Sequence, residues 1–365
     1  MEPEARGRVL YATVGPDEHG VTRHGAAARR TLQGLGADVE PLHATDSSDF
    51  LGLAGVLRDA VDDGRAVHLD VTDALFGPSP AAAADCLLEV LPPAVTLTLH
   101  DIPQAAEGEE RFRRRAEAYA RIARHVAGVV VSSEHERALL DDIVDVAVHV
   151  VPLPVEDRRA MLSDTQPELP EHLAGLEDDV VVFGFLYPGK GHAVALDALA
   201  ELYRQWGPGS GAPRRVTALG PVSAGHDRLV RELRESARDR GLEFRATGFV
   251  PTELSDVALL AAGIPLAAHR NVSASGSLGS WMGVGRRPIV PSGRYVQEMA
   301  RLRPGTLRVT GVDTGPLDYA LAEAIAEAVE DHRRTWLAPG TSLEPGPETC
   351  ARRLADVWAT VHGWA

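Results

Sequence analysis

Gly184–Gly191 reads GFLYPGKG and holds Lys190, the chain's only lysine; every other member of its 37 basic side chains is arginine. Arginine is a wide planar fork and lysine a compact ammonium on a flexible stem, so the exception marks a place where a point charge is wanted. The apolar run Val180–Phe183 precedes the turn as a strand, and Ala195, Leu196, Leu199 and Leu202 follow it at helical spacing. Strand, glycine turn, lysine and helix together suit a phosphate. Gly189 and Gly191 let the backbone come close, the helix start offers free N–H groups, and Lys190 adds charge. The plain alternative is a surface lysine in a turn.

The spacing of Gly184, Gly189 and Lys190 also satisfies G-x-x-x-x-G-K, but Gly191 stands where a Ser or Thr hydroxyl would bind magnesium. A second small-residue turn, Ser273–Ser280 (SASGSLGS), follows the strand expected at Ile264–Ala268, with Arg270 just before it. Ser275, Gly276 and Ser277 make either an anion nest or a capped helix start, and the two are compatible. The same residues nearly match G-x-S-x-G around Ser277, except that Ser275 occupies the first glycine's place, which leaves a hydrolase weakly supported. Gly15–Gly25 (GPDEHGVTRHG) reads as a polar loop after the first strand and carries His19, Gly20, Arg23 and His24. His100 ends the apolar run from Val95, at the strand end where open sheets bind ligands.

Composition narrows the classes. A formal net charge of -15 excludes the basic field of a nucleic-acid binder, so an anionic ligand must meet a local cluster of charge. No D-x-D or H-E-x-x-H occurs, and no G-x-G-x-x-G follows the first strand, so neither a metal site nor a bound cofactor is expected. Cys86 and Cys350 match no zinc or redox spacing and read as ordinary thiols. Arg111–Arg115 (RFRRR) could touch an acidic membrane, although the preceding Glu107, Glu109 and Glu110 favour a solvated helix face. The start shows no secretory pattern, and cytoplasmic residence is expected.

A length of 365 residues suits two domains. Strands are expected at Val9–Val14, Val67–Val71, Val95–His100, Gly128–Ser132 and Val148–Leu153, with helices such as Ala26–Leu35 and Ala81–Leu91 between them. The rhythm restarts with Val180–Phe183, Arg215–Leu219, Phe244–Thr247, Ile264–Ala268 and Pro288–Val290, and with helices at His192–Trp206, Arg228–Arg240 and Ser277–Val284. Alternation of this kind implies parallel sheets covered on both faces. The domains expected are 1–155, a linker at 156–178, 179–345, and a final helix over 346–365.

On these residues the chain resembles the family 4 glycosyltransferases, retaining enzymes with two Rossmann-like domains facing across a cleft in the GT-B arrangement. The matching segments are His19–Gly25, Thr98–Asp101, Val129–Glu136, Val148–Val155, Phe183–His192, Thr247–Val257 and Gly276–Val290. The resemblance implies that Gly189, Lys190, Gly191, Ser275, Gly276 and Ser277 hold the diphosphate of a nucleotide-sugar donor. It implies that Gly248, Phe249 and Val250 lie near the nucleobase and that His100 contacts the donor sugar. It places Gly15, His19, Gly20, Arg23 and His24 on the acceptor side, and returns the last helix to the first domain. Two positions depart from the family pattern. Phe185 stands where an arginine is usual, with Arg270 as its suggested replacement, and Val272–Ser280 contains no acid where the family carries a glutamate pair.

The expected function is transfer of a sugar from a nucleotide diphosphate sugar to a polar small-molecule or glycan acceptor, retaining and without a tightly held metal. Lys190 and His100 are the expected catalytic groups. A non-catalytic relative that binds nucleotide or sugar stays open, as does a P-loop-type or hydrolytic enzyme.

Overall fold

The computed structural model describes residues 7–162, 169–207, 211–269, 271–311 and 317–364. These form two compact units, one running to Pro154 and taken up again from Pro345, the other spanning Val155–Glu344.

The first unit is built on six strands: β1 Val9–Val14, β2 Val39–Ala44, β3 Ala66–Val71, β4 Thr96–Leu99, β5 Gly128–Val131 and β6 Val148–Val150. All pair in parallel in the order β2-β1-β3-β4-β5-β6. Every residue of β1 and β3 is buried, as a strand covered on both faces requires. Helices start where the chain supplies caps. The Ser79 side chain accepts from the Ala82 N–H with Pro80 in the first turn, and the Ser133 side chain accepts from the Glu136 N–H.

The second unit repeats the plan with β7 Val180–Phe183, β8 Arg215–Leu219, β9 Glu243–Ala246, β10 Ile264–Leu266, β11 Ile289–Pro291 and β12 Arg308–Thr310. Its parallel order is β12-β11-β10-β7-β8-β9. Chain direction across the sheet reverses between β1 and β3 in the first unit and between β7 and β10 in the second. Ligands of open α/β sheets bind at such reversals, outside the strands' carboxyl ends.

The structure corrects several expectations. The helix after β1 spans Gly20–Gly34, so the polar loop shrinks to Gly15–His19 and Gly20, Arg23 and His24 lie on helix. The His19 side chain accepts from the Val21 N–H and caps that helix, a role open to a ring nitrogen as it is to a hydroxyl. β2 and β12 were not expected at all. Within the expected linker, Leu173 and Leu176 are fully buried in an apolar cluster with Val181, Leu219 and Trp281. In the basic run Arg115 is buried against Asp73 and Glu107, while the exposed Arg111 and Arg114 pair with Glu107 and Glu110. Among the described residues no helix is long and apolar enough to cross a membrane.

The final helix, Pro347–His362, belongs to the first unit and lies against the helix Gly20–Gly34. Its Leu354, Val357 and Trp358 close an apolar cluster with Val9, Tyr11 and Leu32. The Trp358 ring sits 6.0 Å from Tyr11 and 5.3 Å from His68, and its buried indole N–H has no hydrogen-bond partner among the described residues. Trp358→Ala should therefore cost about 3–5 kcal/mol in urea unfolding, whereas Trp358→Phe should cost clearly less because no hydrogen bond is lost with the indole. Equal costs for the two variants would show that ring packing is not what holds the helix.

Candidate functional sites

β7 ends at Phe183, and the chain turns at Gly184 with φ 106°, where an added Cβ would lie 3.2 Å from Lys190 Nζ. The Leu186 backbone bonds to Pro221 and Ser223 and pins the turn to the segment after β8. Gly191 has φ 104°, and a Cβ there would meet the Ala268 carbonyl oxygen at 2.4 Å. The turn after β7 is thus pressed against the segment after β10, and a side chain at Gly191 would force them apart. The helix His192–Trp206 begins at once.

This close approach brings together residues far apart in sequence. Lys190 is buried, and its Nζ donates to Ser277 Oγ at 3.2 Å. Ser277 Oγ lies 3.1 Å from Ser275 Oγ and 3.4 Å from His269 Nε2. The Ser275 hydroxyl accepts from the Leu278 N–H and caps the helix Gly276–Gly283, while its own N–H donates to the Tyr295 hydroxyl. Helix cap and polar cluster are therefore one arrangement, which sequence reasoning had as compatible readings. Gly189 lies in the same turn, and Gly276 opens the capped helix with open space where a Cβ would go.

No acidic side chain pairs with Lys190 among the described residues. Burial lowers its pKa to about 7. Burial, with Lys190 nearby, also holds His192 down at about 3 and His269 well below its ordinary value, so both rings stay neutral. Val250 packs in the apolar cluster with Trp281, a core position that accounts for its side chain. Phe249 is exposed, and Gly248 turns at φ 74°. Arg270 lies outside the described residues.

The first unit holds a second polar cluster. Asp70, near the end of β3, is fully buried. Its Oδ2 accepts from the Tyr11 hydroxyl at 2.8 Å, and its Oδ1 lies 3.0 Å from His24 Nδ1 and 2.8 Å from His100 Nε2. Burial works to raise the Asp70 pKa, but the His24 charge and the bonds from both histidines hold the carboxyl well below the usual range. Burial works to lower His24, and Asp70 overrides it to leave the ring raised.

His100 is fixed from behind: its N–H donates to the Val71 carbonyl, and its own carbonyl accepts from the Tyr119 hydroxyl. Asp101 takes the left-handed φ of 54°, stabilised by Thr72 on its carboxylate and Arg115 on its carbonyl. His19 is half-buried and its pKa lowered, chiefly by burial, with Asp101 opposing. Gly15 turns at φ 107° against Leu75, and Arg23 is exposed.

Sequence reasoning found His24 and His100 but missed Asp70 and Tyr11. The signal was present in AVHLDV, where a histidine and an acid interrupt a strand otherwise apolar on both faces. Ligand-type atoms of His24, Asp70 and His100 all lie within 4.8 Å of one another, which no linear metal motif would reveal. In this structure His24 Nδ1 and His100 Nε2 both lie within hydrogen-bond distance of Asp70 Oδ1.

Solved structures of the same fold are known. HepE of Anabaena in complex with UDP-glucose matches at TM-score 0.62 and 17% identity, covering 98% of this chain and 97% of that one. Sucrose-phosphate synthase of Thermosynechococcus elongatus matches at TM-score 0.62 and 13% identity over 97% and 96% of the two chains. The E. coli trehalose-6-phosphate structure bound with UDP-2-fluoro glucose matches at 0.60 and 10%, over 98% and 97%. No known family model matches the sequence, and no curated protein matches it. The fold is α/β, two Rossmann-like units of the kind seen in GT-B glycosyltransferases, with the final helix returned to the first unit.

Because Lys190 is the only lysine, selective labelling gives a single side-chain NMR signal. Its titration in the free protein should have a midpoint near 7, where a solvated ammonium would titrate near 10.5. The sign follows from proton counting: between those values the unfolded chain holds one proton more than the folded one. On this group's account stability rises with pH across the window. A midpoint close to 10.5 would mean that the ammonium is hydrated.

Proposed function

We propose that the protein is a glycosyltransferase that moves a sugar from a nucleotide diphosphate sugar to a polar acceptor. One observation carries the reading: a buried ammonium, without a carboxylate partner among the described residues, meets the serine-capped start of a helix at the strand reversal of the second unit. A buried cation is costly unless paired, and an anionic group placed there gains Coulomb attraction, hydroxyl donors and free helix N–H groups together. The structural neighbours crystallised with UDP or UDP-glucose support a diphosphate as that anion.

In this mechanism Lys190, Ser275 and Ser277 stabilise negative charge that builds on the diphosphate as the glycosidic bond breaks, a preorganised electrostatic role. His100 positions the donor sugar, and His19, Arg23 and His24 contribute to acceptor binding. Gly248 and Phe249 adjoin the nucleobase. We take the reaction to proceed with retention, to need no tightly held metal, and to occur in the cytoplasm, where the buried free thiols of Cys86 and Cys350 stay reduced. The absence of any acid in Val272–Ser280 favours a second reading, a relative that binds the nucleotide sugar without turning it over.

Thermal unfolding with UDP, GDP, ADP, TDP and their sugar conjugates tests the site. One base series should stabilise the wild type, by about 2.7 kcal/mol at a hundredfold excess over Kd. Lys190→Ala should abolish the effect, and the wild-type effect should weaken as pH rises above about 7, where the ammonium is lost. Slow hydrolysis of the stabilising sugar conjugate is expected of the enzyme, and binding without hydrolysis would select the second reading. Stabilisation that survives Lys190→Ala would remove the diphosphate from this cluster.

A further inference from the structure

Asp70 takes no part in the donor chemistry proposed above, yet three side chains of the first unit's site bond to it. It lies inside the sheet, between β1 and β4. Tyr11 on β1 donates to Oδ2, while His24 on the helix Gly20–Gly34 and His100 after β4 share Oδ1. An ionised carboxylate only accepts hydrogen bonds. Both ring nitrogens that face it must therefore carry the protons. A neutral imidazole has one N–H and one lone pair, so spending the N–H inward leaves the lone pair on the other nitrogen. Those nitrogens are Nε2 of His24 and Nδ1 of His100, and neither has a hydrogen-bond partner among the described residues.

The approach of His24 is itself built in. It depends on Gly25, the next residue, because a Cβ at that position would sit 2.6 Å from Asp70 Oδ2 and 2.8 Å from the Thr13 side chain. The rings of His24 and His100 then meet edge to face with centroids 5.1 Å apart, both locked by the same oxygen. With a carboxylate behind them, and at a pH above the raised titration of His24, two outward lone pairs repel a phosphate oxygen and accept a hydroxyl proton.

We propose that Asp70 is a positioning residue that fixes His24 and His100 as a pair of hydrogen-bond acceptors, and that this pair reads the hydroxyl groups of a polyol rather than a phosphate. Assignment of the polyol as a sugar substrate rests on the transferase reading, but the tautomers do not. The titratable neighbours are His19 from the loop after β1 and His68 on β3, both lowered chiefly by burial, and Asp101 after β4; His68 is spent on Thr96 and Thr98.

Long-range proton–nitrogen NMR on the full chain labelled in histidine tests this in mildly alkaline solution, with His24→Gln and His100→Gln used only for assignment. His24 should be a single Nδ1–H tautomer and His100 a single Nε2–H tautomer. In Asp70→Asn at least one of the two should become mixed or reversed, since an amide can offer N–H as well as carbonyl. A wild-type ring protonated on its outward nitrogen overturns the proposal, and that measurement decides even if the variant does not fold. Unchanged tautomers in a folded Asp70→Asn overturn it too. Glucose should then move the two outward nitrogen signals and inorganic phosphate should not; movement by phosphate, or none by glucose, defeats the hydroxyl-reading role. Correct tautomers in a protein that binds no nucleoside diphosphate would sink the transferase reading alone.

Discussion

Parallel strands joined by helical crossovers have both faces covered, which leaves the carboxyl ends of the strands as the place where a ligand can reach polar groups. Every group argued to do chemistry here obeys that constraint. Asp70 lies near the end of β3 and His100 just past β4, while the Lys190 turn follows β7 and the Ser275 cap follows β10. In each unit the groups come from the two strands beside the reversal, or from their immediate neighbour, because only there do consecutive turns diverge and leave room. The wide sequence separation of Lys190 and Ser277 is a consequence of this topology.

The two clusters solve opposite electrostatic problems. Asp70 is a buried anion with three donors, so its burial is compensated within the protein and the groups around it are held in one arrangement. Lys190 is a buried cation bonded to one hydroxyl, and it helps to hold His192 and His269 neutral. Its charge is poorly compensated from within, which is why burial moves its titration into the physiological range. A compensated cluster suits orientation of neutral groups, and an under-compensated one suits capture of an opposite charge.

The Val-rich strands and the Gly-Lys turn were legible because period and punctuation are local. β7 and β8 were placed to the residue, and the helix His192–Trp206 likewise. β2 was missed because VEPLHA carries an acid, a proline and a histidine at the sheet edge, where alternation is weak and proline is tolerated. β12, only three residues long, lies at the other sheet's edge for the same reason. The start of the first helix was misread because Gly20 and Gly25 look like loop residues; Gly25 is there for its close approach to Asp70, which only the tertiary structure shows. The Asp70 cluster joins residues from four segments, and no linear spacing encodes it.

Why the chain keeps one lysine follows from counting acceptors. It buries arginine elsewhere without difficulty. Arg286 is fully buried and donates to the carbonyls of Leu259, Leu260, Ala262 and Gly263 and to Thr335, so its fork is satisfied by the end of a helix and a neighbouring turn. The Lys190 position offers one serine hydroxyl, with Gly184 pressed close enough that even a Cβ would touch Nζ. A guanidinium there would bring five donors to a place where, among the described residues, one hydroxyl accepts from the ammonium. An ammonium is small enough to fit and can release a proton when the site is empty of negative charge, which a guanidinium cannot. The exception in composition therefore marks a buried cation whose partner, among the described residues, the fold does not itself provide in full.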